Sequence, residues 1–292
     1  MSVVSKTAKL FGRKTWMTAA CVMSLSLVTV SSHVQAWGQT GHRIIGQIAL
    51  NHLTPVAKER VLALLSGDRL PEVTTWADEQ RSNPAEFWQK TSSKWHYINA
   101  EKSKLQSLHK HPMPFTDEPS DIYTAILKNI SVLQNPKASS ADKEFHLRFL
   151  THLIGDLHMP LHVGRAEDRG GNSIKVKFFF QPTNLHRLWD SGLIEKQNLS
   201  YTEFAEFIDT DKPEEVSEMI STPIHDWIYE SYEYTQRIYE IGNGDYRYNY
   251  QYEYMPLVKQ RLLEGGVRLA GVLNKIFDPE AKPGVQALKS FQ

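Results

Sequence analysis

Thiols are almost missing from this chain. Its single cysteine, Cys21, lies near the start of 292 residues, so no disulfide can brace the rest. Net charge is missing too: 33 Lys and Arg balance 33 Asp and Glu. That balance excludes the electrostatic footprint of a protein gripping duplex DNA through a basic face. No apolar run approaches the roughly 20 residues that a membrane-spanning helix needs; the longest, Trp16 to Val30, has about 15. Internal repeats, low-complexity tracts, domain linkers and a mobile His-rich tract are also lacking, which argues against solenoids and against a metal-scavenging protein without turnover.

What is present begins at the N-terminus. Lys6, Lys9, Arg13 and Lys14 precede the apolar run, and Val34-Gln35-Ala36 supplies the small residues read by a signal peptidase. Residues 1–36 therefore read as a signal peptide that directs export to the periplasm or the medium. Cleavage after Ala36 leaves one domain, residues 37–292, opening on Trp37 with a free α-amino group and carrying a net charge of about −4. Without thiols, its stability has to come from the core or from bound metal. No membrane anchor remains after cleavage, and a monomer is expected.

The periodicity after Trp37 is helical. His42 to Leu53 has apolar residues at helical spacing, and Thr54-Pro55 caps and opens a second helix to Leu65. Asp121 to Leu133, Ala141 to Leu157, 222–241 and 253–277 follow the same pattern, the last two separated by the turn-rich "GNGDYRYN". Only "SIKVKFFF", 173–180, alternates like a strand, which suggests a short hairpin. The fold class is all-α, a single helical domain with a small β-hairpin excursion.

Histidines and carboxylates carry the chemistry. In "THLIGDLHMPLH", His152 and Asp156 are four apart and share one face of a strongly apolar helix. An unpaired carboxylate would be costly there. His162 follows past Pro160. In "NLHRLWD", His186 and Asp190 repeat the spacing behind a predicted Asn184 cap. Asp78 in "TTWADEQR" and His96 in "KWHYIN" add a third, dispersed grouping. These are ligand types that zinc uses at catalytic sites. On spacing alone, helix-surface hydrogen bonds and metal ligation explain such pairs equally well. His109, His111 and His146 lie in polar or irregular surroundings and carry no assignment.

Taken in order, Trp37-x-x-x-x-His42, "WADxxR", "WHYIN", "HLIGDLHMPLHVG", "DRGGN" and "NLHRLWD" resemble the S1/P1 nuclease family of zinc-dependent, single-strand-preferring enzymes. The resemblance spans 37–190 by motif. It implies three Zn²⁺ ions forming a trinuclear cluster at the bottom of a cleft. Asp78, His96, His152 and Asp156 would hold the first, and His162, His186 and Asp190 the second. The Trp37 amine and carbonyl would hold the third with His42, sharing Asp156. It also implies hydrolysis of single-stranded DNA and RNA to 5′-phosphate products, with activity on 3′-mononucleotides.

Catalytic roles fall by the same resemblance to Asp78, which orients the attacking water, and to Arg81, which stabilises charge on the phosphoryl group. Tyr97 matches an aromatic position on which a base stacks, and Gly171 and Asn172 match a turn that meets the base. Asn99 stands where the fungal enzymes have aspartate, so a donor and an acceptor replace an acceptor alone. The alternative of the same chemistry is a zinc phospholipase C: bacterial enzymes of that type resemble the same cluster, including an N-terminal tryptophan. Against it, the chain shows no amphipathic basic helix suited to an interface.

Overall fold

The computed structural model describes Met1 and residues 37–99, 101–111, 113–240 and 244–280. The predicted signal peptide, residues 1–36, lies outside the described residues apart from Met1. Chain contacts group the described residues from Trp37 onward into one unit, and all that follows concerns it. None of the described helices is long and apolar enough to cross a membrane.

Local sequence explains where the helices start. Helix α1, Gln39–His52, buries Ile44, Ile45 and Ile48. Helix α2, Pro55–Leu64, opens with Pro55 at its first position, and the Thr54 side chain accepts from the Ala57 amide. Two short turns follow, α3 (Leu70–Val73) and α4 (Trp76–Glu79). A run of tight and widened turns then leads through Ser92–His96. Helix α5, Lys102–Lys110, was not expected from the sequence. Helix α6, Ile122–Gln134, has a capping box in which Asp121 Oδ1 accepts from Thr124 N. Helix α7, Ser140–Leu157, is capped by Ser139 and buries every residue from Phe149 to Leu157.

Beyond α7, Pro160–Val163 forms a 3₁₀ turn before the strands β1 (Lys175–Phe178) and β2 (Gln181–Asn184). Next come α8 (Leu185–Arg187), α9 (Leu193–Glu195), α10 (Tyr201–Ile208), α11 (Pro213–Ser221) and α12 (Ile224–Tyr239). Strand β3, Asp245–Tyr246, precedes the long α13, Tyr248–Phe277. Helices α1, α7 and α13 pack together at the centre, with α6 on α7 and α10 on α1.

Three expectations are corrected. The strand reading over 173–180 shortens to Lys175–Phe178, because Phe178 pairs with Gln181 and leaves Phe179-Phe180 as a two-residue turn. Both turn residues have positive φ, 46° and 68°, as such a hairpin turn demands. The hairpin is also not alone: β3, from the segment read as a turn, joins β1 in parallel, giving the order β2-β1-β3. Finally, α13 starts at Tyr248 rather than 253. Alternate tyrosines obscured the helical period, since Tyr250 and Tyr254 are buried while Tyr248 and Tyr252 are exposed.

Candidate metal centre

Helix α7 supplies the floor. His152 and Asp156 lie one turn apart on it, both fully buried, with His152 Nε2 3.1 Å from Asp156 Oδ2. His96, at the end of the Ser92–His96 turn, brings Nδ1 to 2.8 Å from the same Oδ2 and to 3.0 Å from His152 Nε2. From α4, Asp78 Oδ1 comes within 3.6 Å of His152 Nε2. Helix α1 brings His42, whose Nε2 is 3.2 Å from Asp156 Oδ1 and whose ring stacks on His152 at 4.1 Å. The close approach is possible because residue 155 is glycine: a Cβ there would meet His42 Nδ1 at 2.8 Å.

A second group forms beside it. His162 comes from the 3₁₀ turn after α7, and His186 and Asp190 from the chain after β2. The Asn184 side chain accepts from Arg187 N at 2.8 Å, as its predicted cap role requires. Past Arg187 the helix widens to a π turn, Leu188–Gly192, closed by Leu193 N–H on the Leu188 carbonyl. Such turns concentrate at functional sites; this one presents Asp190 Oδ2 at 3.5 Å from His186 Nε2. Within each of the groups His42–Asp78–His152, His96–His152–Asp156 and His162–His186–Asp190, the ligand-type atoms lie within 4.8 Å of one another.

Do these residues fit a cation? Backbone carbonyls can only accept, so they fix the tautomers. His152 Nδ1–H donates to Thr74 O at 2.7 Å, His162 Nδ1–H to His96 O at 2.5 Å and His186 Nδ1–H to Gly170 O at 2.6 Å. Each ring is thereby held with its Nε2 lone pair turned to the centre, the arrangement that supports metal-binding imidazoles. His162 Nε2, both nitrogens of His42, and one oxygen each of Asp78, Asp156 and Asp190 are buried without a hydrogen bond, although Asp78 Oδ1 has an ion pair with Arg81 outside that geometry. For His42 and Asp156 the close contact is real but lacks hydrogen-bond geometry, as expected of groups aimed at a common point rather than at each other.

Electrostatics agree. Burial above all, then neighbouring imidazoles and Arg81, holds His42, His96 and His162 well below the usual imidazole range. Burial pushes Asp156 up to about 7 and Asp190 well above the carboxylate range. His152 is the exception: burial lowers it, but Asp156 and Asp78 outweigh burial and raise it. Neutral imidazoles beside carboxyls starved of positive charge suit a cation, which needs deprotonated ligands. The site fits metal.

The remaining sequence candidates lie on segments that carry or contact these residues. Arg81 Nη2 pairs with Asp78 Oδ1 at 2.7 Å. Half-buried Tyr97 accepts Ile122 N–H on its carbonyl at 3.2 Å, and Asn99 keeps a buried Oδ1 without a hydrogen bond. Gly170 and Gly171 have positive φ, +63° and +83°, and lie against Leu161 O and His186 N. Asn172 Nδ2 donates within its own turn to Arg169 O at 2.8 Å. Trp37 is fully buried, and Gly38 N–H donates to Asp190 O at 2.8 Å, tying the start of the described chain to the second group. His146 differs from its expected surroundings: it sits on α7 with Nδ1 2.8 Å from Oδ1 of buried Asn129.

Sequence reasoning missed the brace behind α7. His158, inside the motif but unassigned, turns away from the centre. Its Nδ1–H donates to Ile154 O at 2.7 Å, and Arg268 Nη1 donates to its Nε2 at 3.1 Å. Fully buried Arg261 donates to His158 O at 3.3 Å, to Ser231 Oγ at 2.8 Å and to Glu230 at 3.1 Å; it also pairs with Glu264. The available signal was two arginines seven residues apart in the apolar stretch 257–273.

Fold and centre together define a class: a helical protein built around clustered imidazole and carboxylate side chains that could hold metal. A family model described as S1/P1 Nuclease matches residues 37–278. Endonuclease 2 of Arabidopsis thaliana is 29% identical, over 88% of this chain and 96% of its own length. Nuclease P1 of Penicillium citrinum is 27% identical, over 84% of this chain and 99% of its own. This chain belongs to the S1/P1 nuclease family, and is a metal-dependent hydrolase of phosphodiester bonds.

Proposed function

We propose that the chain is an exported, monomeric, zinc-dependent nuclease that cuts single-stranded DNA and RNA to 5′-phosphate products and also accepts 3′-mononucleotides. The observation that carries the reading is the buried convergence of imidazoles, three of them tautomer-fixed, with carboxylates that each keep one oxygen outside hydrogen-bond geometry. Three ions are proposed: Asp78, His96, His152 and Asp156 would hold the first, and His162, His186 and Asp190 the second. The Trp37 amine and carbonyl would hold the third with His42 and Asp156. The family match beginning at Trp37 supports a mature chain that starts there, which would free the amine.

Zinc, when bound, supplies charge neutralisation at the phosphate and a water whose pKa falls to about 7. The chain's own groups do the rest. Asp78 orients the attacking water through its carboxylate. Arg81, already beside Asp78, turns its remaining N–H donors to the phosphoryl oxygens. Tyr97 offers a face for base stacking, and the Asn99 Oδ1 accepts from a base N–H. The turn at Gly171-Asn172 meets the base, while Gly170 keeps His186 in place through its carbonyl.

The test uses the exported full-length protein: N-terminal sequencing, metal analysis, and hydrolysis of single strands, duplex and phosphatidylcholine. Zinc-loaded protein starting at Trp37 should release nucleotides from single strands, and lose and regain this with chelator and zinc. Diglyceride release from phosphatidylcholine without nucleotide release would replace this reading with the phospholipase one.

A further inference from the structure

The tyrosine-rich start of α13 is not used by the metal centre. On its inner face Tyr250 and Tyr254 stack at 4.6 Å, and Trp189, the neighbour of Asp190, donates its indole N–H to Tyr250 OH at 2.7 Å. The outer face lies across the helix from these contacts. There Tyr248 and Tyr252, one turn apart, are 72% and 87% exposed. Exposure of that degree for two aromatics at i and i+4 is unusual on a helix whose other face is core. They line an open cavity of about 760 Å³ together with Met255, Lys196 and Lys259. An adjoining cavity of about 580 Å³ shares Lys196 and Asn198 and runs back to Ser191 and Arg187, beside the second ligand group. Between them the two cavities are lined by the cations Arg187, Lys196 and Lys259 and one acid, Glu195. This is a basic path on a chain with no net charge.

We propose that this outer face of α13 is an accessory track for the single strand as it leaves the metal cleft, with Tyr248 and Tyr252 stacking unpaired bases and Lys196 and Lys259 meeting phosphates. The inference rests on the nuclease reading and deepens it by adding a length preference. Side chains one helical turn apart have Cβ atoms roughly 6 Å apart, enough to engage successive unstacked nucleotides. Stacking tolerates any base, so the track adds affinity without sequence choice. A duplex, whose bases are already stacked, gains nothing from it.

The test compares the full chain with Tyr248→Ala/Tyr252→Ala and with Lys259→Glu, all zinc-loaded. These exposed positions leave the core untouched. For an oligothymidylate long enough to leave the cleft, KM should rise roughly tenfold or more in the double variant, with kcat unchanged. KM for a dinucleotide and zinc content should stay as in the parent. Equal KM shifts for long and short substrates, or no shift, would overturn the track. Fluorescence anisotropy of a phosphorothioate oligothymidylate checks the same point without turnover: weaker binding by the variants supports the track, and equal binding refutes it. Binding to phosphatidylcholine vesicles lost on the same substitutions would instead make the face a lipid surface. A parent that binds the strand but cuts nothing would sink the nuclease reading and leave the track standing.

Discussion

Gly155→Ala sets two effects against each other. Gly155 is interior to α7, where glycine is about 1 kcal/mol worse than alanine, so the substitution should stabilise the helix. Yet the new Cβ would lie 2.8 Å from His42 Nδ1 and 3.0 Å from His42 Cε1. The ring cannot retreat, being 1% exposed and stacked on His152. Overpacking of this kind costs about 1–3 kcal/mol. The two contributions nearly cancel, and the net loss is about 0–2 kcal/mol, or a few degrees of Tm in a domain of this size. The site is affected far more than the fold. Displacing His42 by a few tenths of an ångström misaligns a proposed zinc ligand, for which we expect roughly 10–100-fold weaker zinc binding and a comparable fall in kcat/KM at limiting zinc. Metal analysis after dialysis against buffered zinc, with activity read across free zinc, measures this. Parent-like zinc affinity together with a raised Tm would refute the claim that the glycine exists to admit His42.

Arg81→Ala should lower kcat by about a hundredfold or more with zinc content intact; unchanged turnover removes Arg81 from the mechanism. Chelation should lower Tm by about ten degrees or more, since each site at a thousandfold excess over Kd contributes about 4 kcal/mol; a coincident melt after verified metal removal contradicts this. His146 is held down to about 4, by burial and then Lys128, against 6.5 when free. Its folded pKa is the lower one, so the unfolded chain takes up the proton first and stability is lost as pH falls from about 6.5 to about 4. Discounted for partial exposure, this amounts to about 1–2 kcal/mol. His146→Gln keeps a donor for Asn129 and should flatten that slope in urea titrations; an identical pH dependence would show that His146 does not carry it.

Local signals survived translation into structure. Thr54 and Asn184 cap as their side chains dictate, and the i,i+4 pairs His152–Asp156 and His186–Asp190 face inward together. The long-range features were not legible. Whether His96 would reach Asp156 across 60 residues came from resemblance and not from periodicity. The third strand is two residues long, too short to alternate. Helices α10 and α11 carry narrow apolar faces interrupted by acids, and α5 is mostly polar. The brace of Glu230, Arg261 and Arg268 behind His158 joins positions up to 110 residues apart, and nothing in a linear count pairs a buried charge with its distant partner.

The widened turn at Leu188–Gly192 has a consequence for how such a centre can vary. A regular helix of one residue fewer would carry Asp190 about 100° around the axis and away from His186. Substitutions in this stretch can be absorbed one side chain at a time. A single-residue deletion cannot, because chain length here sets the direction in which the acid looks. Descendants of this sequence are free to change their surface long before they can shorten that loop of backbone.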